Sequence, residues 1–243
     1  SADADALEQH EVRPAADPSS PQTRYLVGCG TPVDGLQVAI VDPETRERRD
    51  GRVGEIWVAG PSVAAGYWRR ADATIETFQA MTAEGDGPFM RTGDLGLLHD
   101  GELFVTGRIK DLVIIRGRNH YPQDIEATAS ASHPSLARGL ASCFSIDVDD
   151  EERLVLVQEV PRTQARSMSP DDVLQAMRAA IVDAHEIDPW DIVLVPALSL
   201  PKTSSGKLQR GETRRRYLAD EFKVVARSKV EVVSAATTAA SAE

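Results

Sequence analysis

The sequence predicts a mixed α/β (α+β) protein in two parts: a small β-rich subdomain shaped as a distorted barrel, followed by a domain in which helices and strands alternate. Three observations predict this. Between residues 26 and 105 the apolar residues come in short β-type runs separated by Gly, Pro and Asp. Beyond Gly107 stretches of helical period appear between the strand-like runs. The chain has 243 residues, 42% of them hydrophobic, which is enough for two modest cores.

Residues 1–25 carry Pro14, Pro18 and Pro21 and no sustained period, so they are expected to be a loop or the end of an extension with little regular structure. In the β-rich part, residues 26–107, strands are expected at Leu36–Val41, Gly54–Ala59 and Gly101–Val105, with a short helix over Ala71–Phe78 capped by Asp72 or Thr74. The alternating part, residues 108–225, begins with a strand at Leu112–Ile115. Pro122 then takes the first helical position of a segment reaching Ala131, with Asp124 and Glu126 suiting the dipole. Strands follow at Leu140–Ser145 and Leu154–Val160. Ser169-Pro170-Asp171-Asp172 starts a helix whose Val173, Met177, Ile181 and Val182 recur at helical spacing. A strand at Ile192–Val195, a polar loop and a helix at Glu212–Phe222 complete the domain. Residues 226–243 collapse to Ser, Ala, Thr and Glu at their end and read as a disordered tail or linker. No internal repeat is present.

A net charge of −11 and a pI near 5.0 make the surface a poor match for nucleic acid or an anionic membrane. No apolar stretch approaches about 18 residues, and the start is acidic, so neither a transmembrane segment nor a secretory signal is expected, and the localisation expected is cytoplasmic. Cys29 and Cys143 cannot build a disulfide framework or a zinc site and read as ordinary buried thiols; no metal ligands are assigned.

The chemistry-bearing candidates sit in three places. Asp94, in Arg91-Thr92-Gly93-Asp94-Leu95-Gly96, lies on a glycine-flanked turn where its carboxylate can accept two hydrogen bonds from vicinal hydroxyls; the same pattern also suits a loop-capping Asx-turn. Arg108 follows Gly107 at the end of the β-rich part, where its fork could share those hydroxyls, face a phosphate, or form a surface ion pair. Lys207, in Pro201-Lys202-Thr203-Ser204-Ser205-Gly206-Lys207-Leu208, stands on a small Gly-hinged polar loop suited to a mobile catalytic part. Lysine is scarce, five among 27 basic residues, and Lys110, Lys202 and Lys207 fall within these motifs. Lys207 does not complete a phosphate-binding Gly-x-x-x-x-Gly-Lys-Ser/Thr loop, because Pro201 replaces the first glycine and Leu208 follows the lysine. Gly28-Cys29-Gly30 begins like a dinucleotide fingerprint but lacks the third glycine and the helix. His120, His133 and His185 are candidates for a general base but read first as hydrogen-bonded or surface histidines, and Val105 reads as strand core. Arg214-Arg215-Arg216, with Lys202 and Arg210, form a basic patch, either a solvated helix face or a surface steering an acidic partner.

The order of these motifs, together with Gly54–Trp68, Gly107–Glu126 and Leu200–Arg210, resembles the C-terminal portion of an adenylate-forming (ANL) enzyme, and within that superfamily most resembles the fatty acyl-AMP ligases, through Arg116-Gly117-Arg118-Asn119-His120-Tyr121-Pro122-Gln123-Asp124-Ile125-Glu126. The resemblance implies a subdomain of the large ligase domain over residues 26–107 and a mobile C-terminal α/β domain over residues 108–225. It implies that a fatty acid and ATP give acyl-AMP and pyrophosphate, and that the acyl group passes to the phosphopantetheine thiol of an acyl carrier protein or polyketide synthase carrier domain. By position, Asp94 and Arg108 would hold the ribose, Lys207 would approach the carboxylate and α-phosphate, Lys110 would be the hinge, and the Gly117 segment would serve the thiol channel. Residues 1–25 lie where these ligases carry a segment that restrains the mobile domain and disfavours coenzyme A.

The superfamily's phosphate loop and large N-terminal subdomains do not occur in these residues, so the chain alone is expected to be inactive, with magnesium ligands and acyl tunnel upstream. A fragment of an acyl-CoA synthetase and a non-catalytic interaction module of the same fold are the alternatives.

Overall fold

The computed structural model describes residues 1–20 and 22–230, which divide into two compact units between Asp124 and Ile125. No helix among the described residues is long and apolar enough to cross a membrane.

In the first unit the N-terminal stretch is ordered, contrary to the expectation from its prolines. β1 (Ala2–Asp3) pairs antiparallel with β2 (Thr23–Arg24), and between them α1 (Ala4–Glu8) is capped by Asp3, whose carboxylate accepts the Ala6 N–H at 2.8 Å. Ala2, Ala6 and Leu7 are buried. The segment is too short to show a period, and tertiary burial decides it.

An antiparallel meander follows: β3 (Gln37–Val41), β4 (Gly54–Ala59), β5 (Met90–His99) and β6 (Glu102–Arg108), in that spatial order. α2 (Ala71–Phe78) lies between β4 and β5 and begins after Arg70 without a side-chain cap, so neither Asp72 nor Thr74 serves as one. The barrel expectation is corrected here. Four strands enclose no interior, and among the described residues the sheet stays open, the outer edge of β6 meeting Gly28–Gly30 and that of β3 meeting Arg48 and Arg49. One face packs Leu95 and Leu97 with Leu7, Val53 and Tyr121, and another cluster joins Ala39, Val41 and Trp57 to Phe89. A hairpin of β7 (Val113–Ile115) and β8 (Arg118–His120) turns at Arg116-Gly117.

α3 (Pro122–Ala131) opens at Pro122 as the sequence predicts. In the second unit β9 (Ala141–Val148), β10 (Glu151–Val160), β11 (Asp191–Pro196) and β12 (Ala226–Lys229) form one sheet in the order β12-β11-β10-β9. β10 and β11 run parallel, joined through α4 (Pro170–His185), while the outer pairs are antiparallel. Ser169 caps α4, its hydroxyl accepting the Asp172 N–H. Alternation along the strands sorts the core. Phe144, Ile146, Val155, Val157, Val193 and Val195 cluster with Tyr217 of α5 (Arg210–Leu218). The intervening Cys143, Leu154, Leu156, Ile192 and Leu194 are buried on the opposite face, and α4 buries Val173, Met177 and Ile181. Residues 226–229, expected in the tail, are an edge strand, because pairing with β11 satisfies a segment whose composition is polar; the rest of that expectation, from residue 231 onward, lies outside the described residues.

Candidate functional site

Both units carry candidate residues. In the first, β5 and β6 pair Asp94 with Arg108, and Arg108 Nε donates to Asp94 Oδ1 at 2.9 Å. Their side chains are 34% and 56% exposed, so a carboxylate and a guanidinium stand side by side at the surface. Asp94 belongs to a strand, where the sequence reading placed it on a free turn. Its projection comes from an irregularity: Glu55 pairs with Leu95 and Trp57 with Arg91, so Thr92, Gly93 and Asp94 all face Ile56. Gly93 takes φ +73 there, a left-handed conformation that glycine adopts without a Cβ penalty.

A residue with no assigned role in the sequence reading holds this bulge. Glu55, 2% exposed on β4, accepts Arg91 Nε at 2.9 Å and Nη2 at 2.7 Å, and its other oxygen accepts the Gly93 N–H at 3.1 Å. Thr92 Oγ1 donates to the Ile56 carbonyl at 2.7 Å and accepts the Asp94 N–H at 3.1 Å. The signal in the sequence was a glutamate directly before the apolar run Ile56-Trp57-Val58-Ala59, since a buried carboxylate requires partners.

Past Arg108, Lys110 lies exposed in a single 3-10 turn, Ile109–Asp111, and Gly117 lies exposed in the β7–β8 turn with φ +76. His120 is 2% exposed, with Nδ1 3.1 Å from Glu8 Oε1. Arg118 Nε donates to Glu8 Oε2 at 2.9 Å, and Asn119 Nδ2 to the Glu8 carbonyl at 2.9 Å. Three consecutive side chains of β8 therefore hold α1. His120 is a structural histidine, as are His133, a cap for Ser135, and His185, whose Nε2 meets Thr128 Oγ1 at 2.8 Å.

In the second unit Lys207 is exposed on a closed turn. Lys202 bridges Leu208, Thr203 N–H donates to the Lys207 carbonyl at 2.8 Å, Lys207 N–H donates to Thr203 Oγ1 at 3.0 Å, and Gly206 turns the chain with φ +83. Where the sequence suggested a loose hinge, these bonds make a small preformed platform for one ammonium group.

Three expectations are revised. Cys29 is exposed and only Cys143 is buried, burial raising its thiol well above the ordinary value. Val105, read as core, is 43% exposed. The basic patch is largely self-neutralised: Arg215 pairs with Glu212 and Glu221, Arg216 with Glu212, and Arg210 with Glu126. Hydrogen bonds from Arg215 and Arg216 hold the Glu212 carboxyl down at about 2. Among the described residues no three His, Cys, Asp or Glu side chains converge as a metal site.

Two family models match the chain, "AMP-binding enzyme" over residues 11–68 and "Disco-interacting protein 2-like, AMP domain" over residues 110–227. The chain belongs to the AMP-binding, adenylate-forming superfamily, where its relatives include fatty-acid ligases. A medium-chain-fatty-acid–[acyl-carrier-protein] ligase, JamA of Moorena producens, is 50% identical over 218 residues, covering 88% of this chain and 37% of JamA. The long-chain-fatty-acid–AMP ligase FadD26 of Mycobacterium tuberculosis is 40% identical over 234 residues, covering 91% and 39%. The chain thus spans less than two fifths of these relatives. A solved structure of fatty acyl-adenylate ligases from E. coli and L. pneumophila aligns with TM-score 0.67 at 33% identity, over 89% of this chain and 37% of that one. The adenylation, ketoreductase and pseudo-Asub multidomain structure of a keto acid-selecting NRPS module aligns with TM-score 0.68 at 29% identity, over 91% and 18%.

Proposed function

We propose that the chain is the C-terminal part of a fatty acyl-AMP ligase that works with upstream ligase subdomains. A fatty acid carboxylate oxygen attacks the α-phosphorus of ATP, the bond to the β-phosphate oxygen breaks, and pyrophosphate leaves. The thiol of a carrier protein then attacks the acyl carbon of acyl-AMP, AMP leaves, and the thiol proton passes to solvent. Magnesium belongs to the upstream part, and no step here runs through it.

The observation that carries this reading is the cross-strand pair of Asp94 and Arg108, in a chain 50% identical to a fatty-acid ligase. An exposed carboxylate accepts hydrogen bonds from two ribose hydroxyls, and the guanidinium beside it fixes the carboxylate and offers donors of its own. Val105, exposed on the same strand as Arg108, offers an apolar contact beside the nucleotide. Lys207 supplies the positive charge that offsets repulsion between the carboxylate and the α-phosphate and stabilises charge developing in the transition state. Lys110 is the hinge at which the domain from Arg108 onward turns between the half-reactions, withdrawing Lys207 and bringing the Gly117 segment to the thiol channel. The docking of α1 on β8, just beyond that hinge, supports a restraining role for residues 1–25.

Lys207→Ala in the full-length ligase tests the reading. Acid-dependent pyrophosphate release is expected to fall by a factor of about 10² or more, the scale of losing one transition-state charge contact, with ATP binding retained. Undiminished release overturns the role of Lys207, and a wild-type ligase that releases no pyrophosphate overturns the function.

A further inference from the structure

We infer that Glu126 and Glu159 are positioning residues for Lys207, holding both ends of its loop with one partly buried and one buried carboxylate; this rests on the adenylation role proposed for Lys207. At the entrance, the Leu200 N–H donates to Glu159 Oε1 at 2.9 Å, and Glu159, at the end of β10, is 4% exposed. At the exit, Arg210 opens α5 and donates Nε to Glu126 Oε1 at 2.7 Å and Nη2 to Oε2 at 2.6 Å. Glu126 Oε1 also accepts the Cys143 N–H at 2.9 Å. One carboxylate on α3 therefore ties β9 to the first residue of α5. Between the two anchors, Gln209 N–H donates to the Pro201 carbonyl at 3.0 Å and closes the neck of the loop.

The geometry of the Arg210 fork explains why this matters for a lysine three residues earlier. Two parallel N–H···O bonds leave the guanidinium one orientation, which fixes where α5 starts and therefore where the turn before it points. Glu126 and Arg210 are only 12% and 21% exposed, so the fork is shielded from competing water. Lys207 itself is long and exposed, so its reach toward the reacting atoms is set by the platform beneath it. An uncharged glutamine at residue 126 cannot complete the fork. A lysine at residue 210 keeps the charge but cannot make the two parallel bonds.

The test separates the half-reactions in the full-length ligase. Acid-dependent pyrophosphate release and transfer from added acyl-AMP to a carrier thiol are measured for wild type, Glu126→Gln and Arg210→Lys. Both variants are expected to lose about 10- to 100-fold in kcat for pyrophosphate release, the effect of a misplacement near 1 Å, with KM for ATP unchanged. Transfer from acyl-AMP, in which Lys207 is withdrawn, is expected to stay at the wild-type rate. Wild-type pyrophosphate release in both variants overturns the inference, and so does an equal loss in both half-reactions, the result of a merely structural pair. A wild-type ligase without pyrophosphate release instead removes the functional reading on which the inference rests.

Discussion

Glu55 shows how a residue that meets no substrate governs one proposed to do so. Its carboxylate lies 2% exposed and is satisfied by Arg91 and the Gly93 N–H, so the bulge carrying Asp94 is fixed to the neighbouring strand. Glu55→Ala leaves Arg91 without its partner and the Gly93 N–H without its acceptor. A loss of roughly 2 to 3 kcal/mol is expected in urea unfolding, the lower side of the buried-pair range because Arg91 keeps part of its side chain in solvent. In the ligase KM for ATP should also rise, as Asp94 loses its fixed direction. An unchanged denaturation midpoint would assign Glu55 no such role. Asp94, Arg108 and Lys207 could be named from the sequence because their motifs are contiguous. Glu55, Glu126 and Glu159 could not be given roles, since their partners lie 36, 84 and 41 residues away.

Among the elements, α1 is held almost entirely by tertiary contacts, and two of its neighbouring groups titrate. Burial pushes the Glu8 carboxyl up, but the hydrogen bond and charge of His120 and the charge of Arg118 outweigh it and hold it below its ordinary 4.5. Burial and then Arg49 hold the His10 ring below its ordinary 6.5. A carboxyl lowered by folding stabilises the folded state above 4.5 and stops doing so as pH falls through its folded value. A histidine lowered by folding prefers to be neutral, so its contribution is complete above 6.5 and fades as pH falls through its own folded value. Both favour α1 at neutral pH. Asp124, raised by burial despite Arg24, works the other way, its contribution complete below 3.8 and fading as pH rises. Hydrogen-exchange protection of the α1 amides should therefore fall as pH drops from 6.5 to below 4.5, and Glu8→Gln should lower it already at pH 7. Protection constant across that window would show that these two groups do not hold the helix. The strand β5 was missed for a related reason. Thr92-Gly93-Asp94 reads as a turn, and it is strand only because β4 and β6 supply a ladder on each side.

On the scale of the whole molecule, the chain spans less than two fifths of its fatty-acid ligase relatives. Residues 1–243 alone are expected to show no acid-dependent pyrophosphate release and the proposed full-length ligase is expected to show it; turnover by the isolated chain would refute the fragment reading. Given acyl-AMP, the full-length ligase should acylate a carrier-protein thiol and leave free coenzyme A unacylated. Thioester formation with coenzyme A would place the parent among the acyl-CoA synthetases.

The sequence by itself determined the superfamily, the mixed α/β class, the helices at Ala71–Phe78 and Pro122–Ala131 and the start of the helix at Pro170, because motifs, Pro at the first turn and apolar periods are local signals. Only the tertiary structure decided that the β-rich sheet is open, that residues 2–8 fold, that residues 226–229 extend the second sheet and that Lys207 sits on a closed platform. The first three depend on hydrogen bonds or burial between residues distant in the chain, and the Lys207 platform is a turn closed between Thr203 and Lys207 and anchored by the distant Glu159 and Glu126. A short polar segment takes its conformation from the partner it finds, and no local pattern in the sequence names that partner.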